Sequence, residues 1–142
     1  MQELISDPHE IIVPADLPQL TAISKFIGDH LSGVNCPLLK RHHIMIITDE
    51  IFSNIVRHSD SKDGDTVKVM IQMEEDPWSA VITFVDSRSP FNPLSAAEPD
   101  VTAEAKDRKV GGVGLFMMKK LVDDVSYDYR DGQNILTIRK YL

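Results

Sequence analysis

The sequence predicts an α+β fold of two layers, and three observations lead there. Apolar residues recur every three or four positions, first at Leu20, Ile23, Phe26, Ile27 and Leu31, then at Ile44, Ile47, Ile51 and Ile55. That is the period of helices with one face in a core. Val67, Val69, Ile71 and Met73 alternate with Lys68, Met70, Gln72 and Glu74, the period of a strand. The strand-like segments also lie mostly next to one another in the chain. That arrangement favours one sheet with helices packed on a face over a strict alternation of strand and helix.

Taken in order, Glu10 to Val13 is a short apolar run ended by Pro14, which suits an edge strand. Asp16-Leu17-Pro18 opens a helix with Asp as cap and Pro in the first turn, and Gly33 stops it. A second helix runs from near Pro37 to about Arg57. Its β-branched residues lower helix propensity, but its length and periodicity outweigh them. Ser59 to Asp65 is a polar loop containing Gly64. Asp76-Pro77-Trp78-Ser79 is a type I turn candidate joining the alternating strand to Ala80–Val85 as a hairpin. The second arm is apolar almost throughout, as in a strand covered on much of both faces. Leu94 to Val110 is long, mixed and charged. Such a connection suits a functional lid or an irregular segment, with a short helix near Thr102 to Arg108. Leu115 to Val122 has helical spacing. Val125, Tyr127 and Tyr129 alternate, Asp131-Gly132 signals a turn, and Ile135 to Tyr141 forms the last strand.

The bulk numbers narrow the class. With 142 residues the chain fits a single domain over 1–142, enough to bury about two thirds of its unfolded surface. A net charge of −7 argues against binding a phosphate backbone, so no direct nucleic-acid partner is expected. The one cysteine, Cys36, excludes an internal disulfide and a cysteine-based zinc site, in keeping with a reducing cytosol. The N-terminus MQELISDPHE is polar and acidic, unlike a signal peptide. No stretch reaches the roughly 20 apolar residues of a membrane span, so a cytoplasmic protein is expected.

Three motifs carry chemistry. Glu50, Asn54 and His58 lie at i, i+4 and i+8 on one helix face. The amide oxygen can bind a hard cation such as Mg²⁺, and the carboxylate can take a proton from an attacking hydroxyl. Taken alone, the pair is more often a solvated polar face. His58 suits a helix C-terminus, where the dipole favours a cation. His42 and His43, being adjacent, point apart and read as structural or exposed. Asp86 ends an apolar strand and begins Asp86-Ser87-Arg88-Ser89-Pro90-Phe91-Asn92-Pro93. A carboxylate there can accept a hydrogen bond from an exocyclic amine of a base, or simply initiate a turn. Gly111-Gly112-Val113-Gly114-Leu115 precedes a helix, where backbone N–H groups and the helix dipole can meet an anion. Its spacing is neither a Walker A loop nor a dinucleotide fingerprint, and a flexible turn is an equal reading. Arg108 and Lys109 just before it offer phosphate contacts or ordinary surface charge.

In this order the motifs resemble the anti-sigma regulatory factors with a serine/threonine kinase-type ATPase domain, of the GHKL (histidine-kinase-like) superfamily. The resemblance runs from about Ile11 to the C-terminus and is strongest over Val110–Leu142. It implies a two-layer α/β sandwich with a mixed, mostly antiparallel sheet and helices on one face, holding ATP under a lid. Residue by residue, it implies Glu50 as general base, Asn54 as Mg²⁺ ligand and Asp86 as the carboxylate that recognises adenine. Arg88 and Pro90 belong to that same segment. Gly111, Gly112, Val113, Gly114 and Leu115 would meet the phosphates, with Arg108 beside them. Leu94–Val110 would be the lid, and Thr137 would lie near the adenine. The family's kinases phosphorylate a serine of an anti-sigma factor antagonist and bind a sigma factor, and a homodimer is implied. The departure is Arg88, where the family's segment usually has glycine. If that position needs φ > 0, the substitution costs about 1–2 kcal/mol. The side chain would then either obstruct the nucleotide or swing out to pair with a phosphate. An obstructing Arg88 would make the domain a non-catalytic interaction module with weakened or lost ATP binding.

Overall fold

The computed structural model describes residues 9–58, 64–92 and 112–142, with backbone alone at His58 and at 112–116. Five strands are described: β1 (His9–Pro14), β2 (Thr66–Glu74), β3 (Ser79–Asp86), β4 (Asp124–Arg130) and β5 (Gln133–Tyr141). They form one sheet in the order β1-β2-β3-β5-β4. Each of the four described pairings is antiparallel, in keeping with the mostly antiparallel sheet expected. Three helices accompany it: α1 (Leu20–Gly33), α2 (Leu38–His58) and α3 (Gly112–Leu121).

The register arranges the core in rows, because side chains alternate faces along a strand. Ile71, Ile82 and Ile138 stand abreast across β2, β3 and β5, and all three are fully buried. Val69, Phe84 and Leu136 form the next row. Val67, Asp86 and Asn134 form the row after that, where the apolar face turns polar. At the opposite end the row is Met73, Ala80 and Lys140. Onto this face pack Ile23, Ile27 and Leu31 of α1, Ile44, Ile47, Ile51, Phe52 and Ile55 of α2, and Met118 of α3. The other face carries the alternate residues, with Thr83 Oγ1 and Thr137 Oγ1 3.3 Å apart and Arg139 paired to Glu74 at 2.7 Å.

Most elements fall where their residues suggest, and several details differ. Asp16 precedes a 3₁₀ turn (Leu17–Gln19) whose first residues contain Pro18. Its side chain makes no cap bond; its carbonyl accepts the Gln19 N–H instead, at 3.1 Å. Gly33 is the last residue of α1, but Asn35 supplies the left-handed conformation after the helix (φ 56°), a role Asn tolerates because its short side chain bonds locally. Cys36, buried between α1 and α2, follows directly. The hairpin turn between β2 and β3 has Asp76 at φ 60° and a cis Asp76–Pro77 peptide, features that a type I reading lacked. Asp131 and Gly132 both have positive φ (55° and 76°) between the paired Arg130 and Gln133, the two-residue turn that an Asp-Gly sequence favours. The proposed lid, Leu94–Val110, and its short helix lie outside the described residues. No described helix is long and apolar enough to cross a membrane.

Candidate nucleotide site

Asp86 is the last residue of β3 and Asn134 the second of β5, so antiparallel pairing puts them side by side on the helix-covered face. Both are buried. Asn134 Nδ2 donates to Asp86 Oδ1 at 3.0 Å, to Ser89 O at 3.0 Å and to Arg88 O at 3.3 Å. Its Oδ1 accepts from the Phe91 N–H at 2.9 Å and from the Tyr127 hydroxyl. One amide thus ties the Asp86–Phe91 segment to β5 and to the edge strand β4. Asp86 Oδ1 also accepts the Arg88 N–H at 3.1 Å, while Oδ2 takes no hydrogen bond among the described residues.

These groups line a small pocket with Ile55, Phe84, Phe91, Tyr127 and Leu136 around Asp86 and Asn134. Apolar walls with one free carboxylate oxygen are the chemistry of a site for a flat, mostly apolar ring that carries an amine. Burial raises the pKa of the Tyr127 phenol, and the Asp86 carboxylate adds to the rise. Tyr127 therefore stays protonated at neutral pH and serves as a hydrogen-bond donor.

Asn54 is fully buried on α2. Its Nδ2 donates to Glu50 O at 2.7 Å and to Glu50 Oε2 at 2.5 Å. Its Oδ1 has no hydrogen-bond partner among the described residues. A solvated polar face does not bury its amide in this way. A buried acceptor left unpaired costs about 1–3 kcal/mol, so the position calls for a partner that the described residues do not supply. A hard oxygen donor held rigidly by its own nitrogen fits Mg²⁺. The neighbouring Ser53 behaves differently, with its hydroxyl satisfied by Asp49 Oδ1 at 3.1 Å.

Arg88 settles the departure seen in the sequence. The positive-φ residues other than glycine, among those described, are Asn35, Asp76 and Asp131. Arg88 is not one of them, so no left-handed strain attaches to it. Its side chain is 3% exposed and turns inward. Nη1 donates to Ile55 O at 2.7 Å, and Nε donates to Asp65 Oδ2 at 3.2 Å. Arg88 does not line the pocket. The expectations that it blocks the base or swings out to a phosphate are both corrected.

Thr137 is a second correction. It stands opposite Thr83 on the far face of the sheet, because it lies an odd number of positions beyond Asn134 along β5. The β5 residue that shares the pocket with Asp86 is Asn134. The Asp131-Gly132 turn fixes the register of β5 against β4, but only the pairing of β5 with β3 shows which residue stands beside Asp86. Pro90 is exposed at the rim of the segment. The glycine motif does not simply precede a helix. Gly112, Val113, Gly114 and Leu115 are the first residues of α3, whose backbone packs beside α2. Gly111, Arg108 and Pro93 lie outside the described residues, as do the side chains of 112–116 and His58.

Comparison with known proteins gives a consistent result. The family described as the histidine kinase-like ATPase domain matches residues 13–140. The serine/threonine-protein kinase BtrW of Bordetella bronchiseptica is 26% identical over 101 residues, covering 71% of this chain and 70% of that protein. The crystal structure of the RsbU and RsbW domains of Rv1364c from Mycobacterium tuberculosis superposes with a TM-score of 0.67 over 96% of this chain, at 14% identity. This chain spans about a third (32%) of that one. The SiaB–SiaC complex from Pseudomonas aeruginosa gives a TM-score of 0.60 at 16% identity, covering 94% of this chain and 89% of the matched chain. At such identities the two structures speak for the fold alone.

Proposed function

The chain belongs to the histidine kinase-like ATPase domain family, and from that membership we propose that it is an ATP-dependent serine/threonine protein kinase of the anti-sigma type. Its substrate would be a serine of an anti-sigma factor antagonist, and its second partner a sigma factor. It would act in the cytoplasm as a homodimer. The observation that carries this reading is Asn54, a buried amide oxygen without a partner among the described residues, oriented by Glu50 on the helix beside α3.

The chain's own residues divide the work. Asp86 Oδ2 would accept an N–H of the adenine amine, with Asn134 holding the carboxylate in place. Backbone N–H groups at the start of α3 would face the phosphates, where a helix N-terminus favours negative charge. Asn54 Oδ1 would hold Mg²⁺, which when bound neutralises phosphate charge and orients the transferred group. Glu50, tied to Asn54, would accept the proton of the serine hydroxyl as that oxygen attacks.

The kinase reading is tested by incubating the protein with labelled ATP, Mg²⁺ and an antagonist protein carrying the acceptor serine. Transfer that disappears with Glu50→Ala supports it. The absence of transfer from the wild type, with Glu50→Ala indistinguishable, removes it. A non-catalytic interaction module had its motive in an obstructing Arg88. With the guanidinium committed to Ile55 O and Asp65, that motive is gone.

A further inference from the structure

We propose that Arg88 is a positioning residue that couples the base pocket to the turn of α2 carrying Asn54, so that base and magnesium ion are bound cooperatively. The proposal rests on the nucleotide-binding reading above. It gives a task to the residue that stands where the family resemblance leads one to expect glycine.

The backbone of Arg88 belongs to the base pocket. Its N–H is bonded to Asp86 Oδ1 at 3.1 Å, and its carbonyl accepts from Asn134 at 3.3 Å. The side chain belongs to a different part of the molecule. Nη1 bonds Ile55 O, and Ile55 both follows Asn54 in the chain and lines the pocket. Nε bonds Asp65, whose carbonyl in turn holds the Ala15 N–H at 2.9 Å at the start of the helical layer. A guanidinium is planar and its donors are fixed in a fork, so both bonds hold only in one arrangement of the elements they join. Any shift of the Asp86 segment therefore bears on the last turns of α2. A glycine at 88 would keep the backbone bonds and lose this link. With the link in place, a ligand that orders the pocket also orders the Asn54 turn, and the second binding event meets a site already arranged.

Calorimetric titration with ADP, with and without Mg²⁺, tests this on wild type, Arg88→Gly and Arg88→Lys, well below the melting temperature of the least stable protein. Arg88→Gly is expected to weaken ADP binding in Mg²⁺ by roughly tenfold, the scale of coupling within one hydrogen-bonded network. The ratio of the affinities with and without Mg²⁺ is expected to shrink with it, with Arg88→Lys in between. A merely structural arginine would lower the melting temperature and leave that ratio alone. Should Arg88→Gly fail to fold, Arg88→Lys and Asp65→Asn carry the test, and the ratio must still fall. A folded variant that binds as tightly as wild type, with an unchanged ratio, overturns the proposal while leaving nucleotide binding intact. A wild type that binds no ADP at any Mg²⁺ concentration overturns the underlying reading, and the coupling with it.

Discussion

The helix-covered face of the sheet has a buried polar cluster at each end, and the two ends differ in what they leave over. At the β5 C-terminal end, Lys140 is buried and donates to Leu121 O at 2.5 Å, closing the last turn of α3. Asp123 Oδ2 lies 4.0 Å from the same amine and accepts the Tyr141 N–H at 2.7 Å. There the described bonds close on one another, although the nearby His43 Nδ1 is buried without a hydrogen-bond partner among the described residues. At the other end Asp86, Asn134 and Arg88 bond one another, yet among the described residues Asn54 keeps a buried oxygen unpaired and Asp86 takes its hydrogen bonds on Oδ1 alone. Burial alone does not mark a site, since both ends are buried. Nor does an unpaired atom by itself, since Thr48 Oγ1 and His43 Nδ1 are also buried without a partner among the described residues; what marks this end is the unpaired Asn54 oxygen together with the pocket at Asp86.

Removing the unpaired oxygen is the strongest way to break this contrast. Asn54→Ala should weaken Mg²⁺-dependent nucleotide binding by about a hundredfold, close to 3 kcal/mol, as read by calorimetry. Its melting temperature should fall only modestly, because relief of the buried unpaired oxygen offsets the loss of the Nδ2 bonds to Glu50. A large drop in melting temperature with unchanged binding would make this end as structural as the other. Glu50→Gln should come next. Phosphoryl transfer should fall by roughly 10²–10⁴-fold, the usual share of a general base, while ADP affinity stays near wild type. Equal losses in both measurements would assign Glu50 to binding instead. At the opposite end, Lys140→Met should cost about 1 kcal/mol of stability by leaving Leu121 O unpaired, with nucleotide affinity untouched. Any effect on affinity would show that the two ends communicate.

Alkaline titration gives the smallest effect and sharpens the comparison. Burial raises the Tyr127 pKa above 10.0, so its stabilising contribution is complete below pH 10.0 and is lost as pH climbs from there through the folded value. Burial lowers the Lys140 pKa below 10.5, chiefly by desolvation, against the pull of Asp123. Its contribution is lost as pH falls through the folded value and is regained as pH rises towards 10.5. In urea melts across this range, Tyr127→Phe should remove a downward slope of stability with pH, and Lys140→Met an upward one. Slopes of the same sign in both variants would contradict these directions.

Legibility followed how local each signal was. The isoleucine ladder of α2 and the alternation of β2 were readable because a helix or strand with one buried face prints its period on the sequence. The Asp131-Gly132 turn was readable because few residue pairs accept two positive φ angles. Glu50 and Asn54 share a face by spacing alone, but full burial of Asn54 depends on the packing around α2 and no spacing reveals it. Thr137 was misplaced by a parity error that only the pairing with β3 corrects. Arg88 was the least legible. Its φ, and its partners at Ile55 and Asp65, are set by contacts between segments more than twenty residues apart in the chain.

Cys36 sits where α1 hands over to α2, buried, with its thiol pushed up in pKa by desolvation. An uncharged, enclosed sulfur reacts with alkylating reagents only when its surroundings part. As this chain has one cysteine, the rate at which a thiol reagent consumes it becomes a clock for the separation of the two helices. That clock needs no added label.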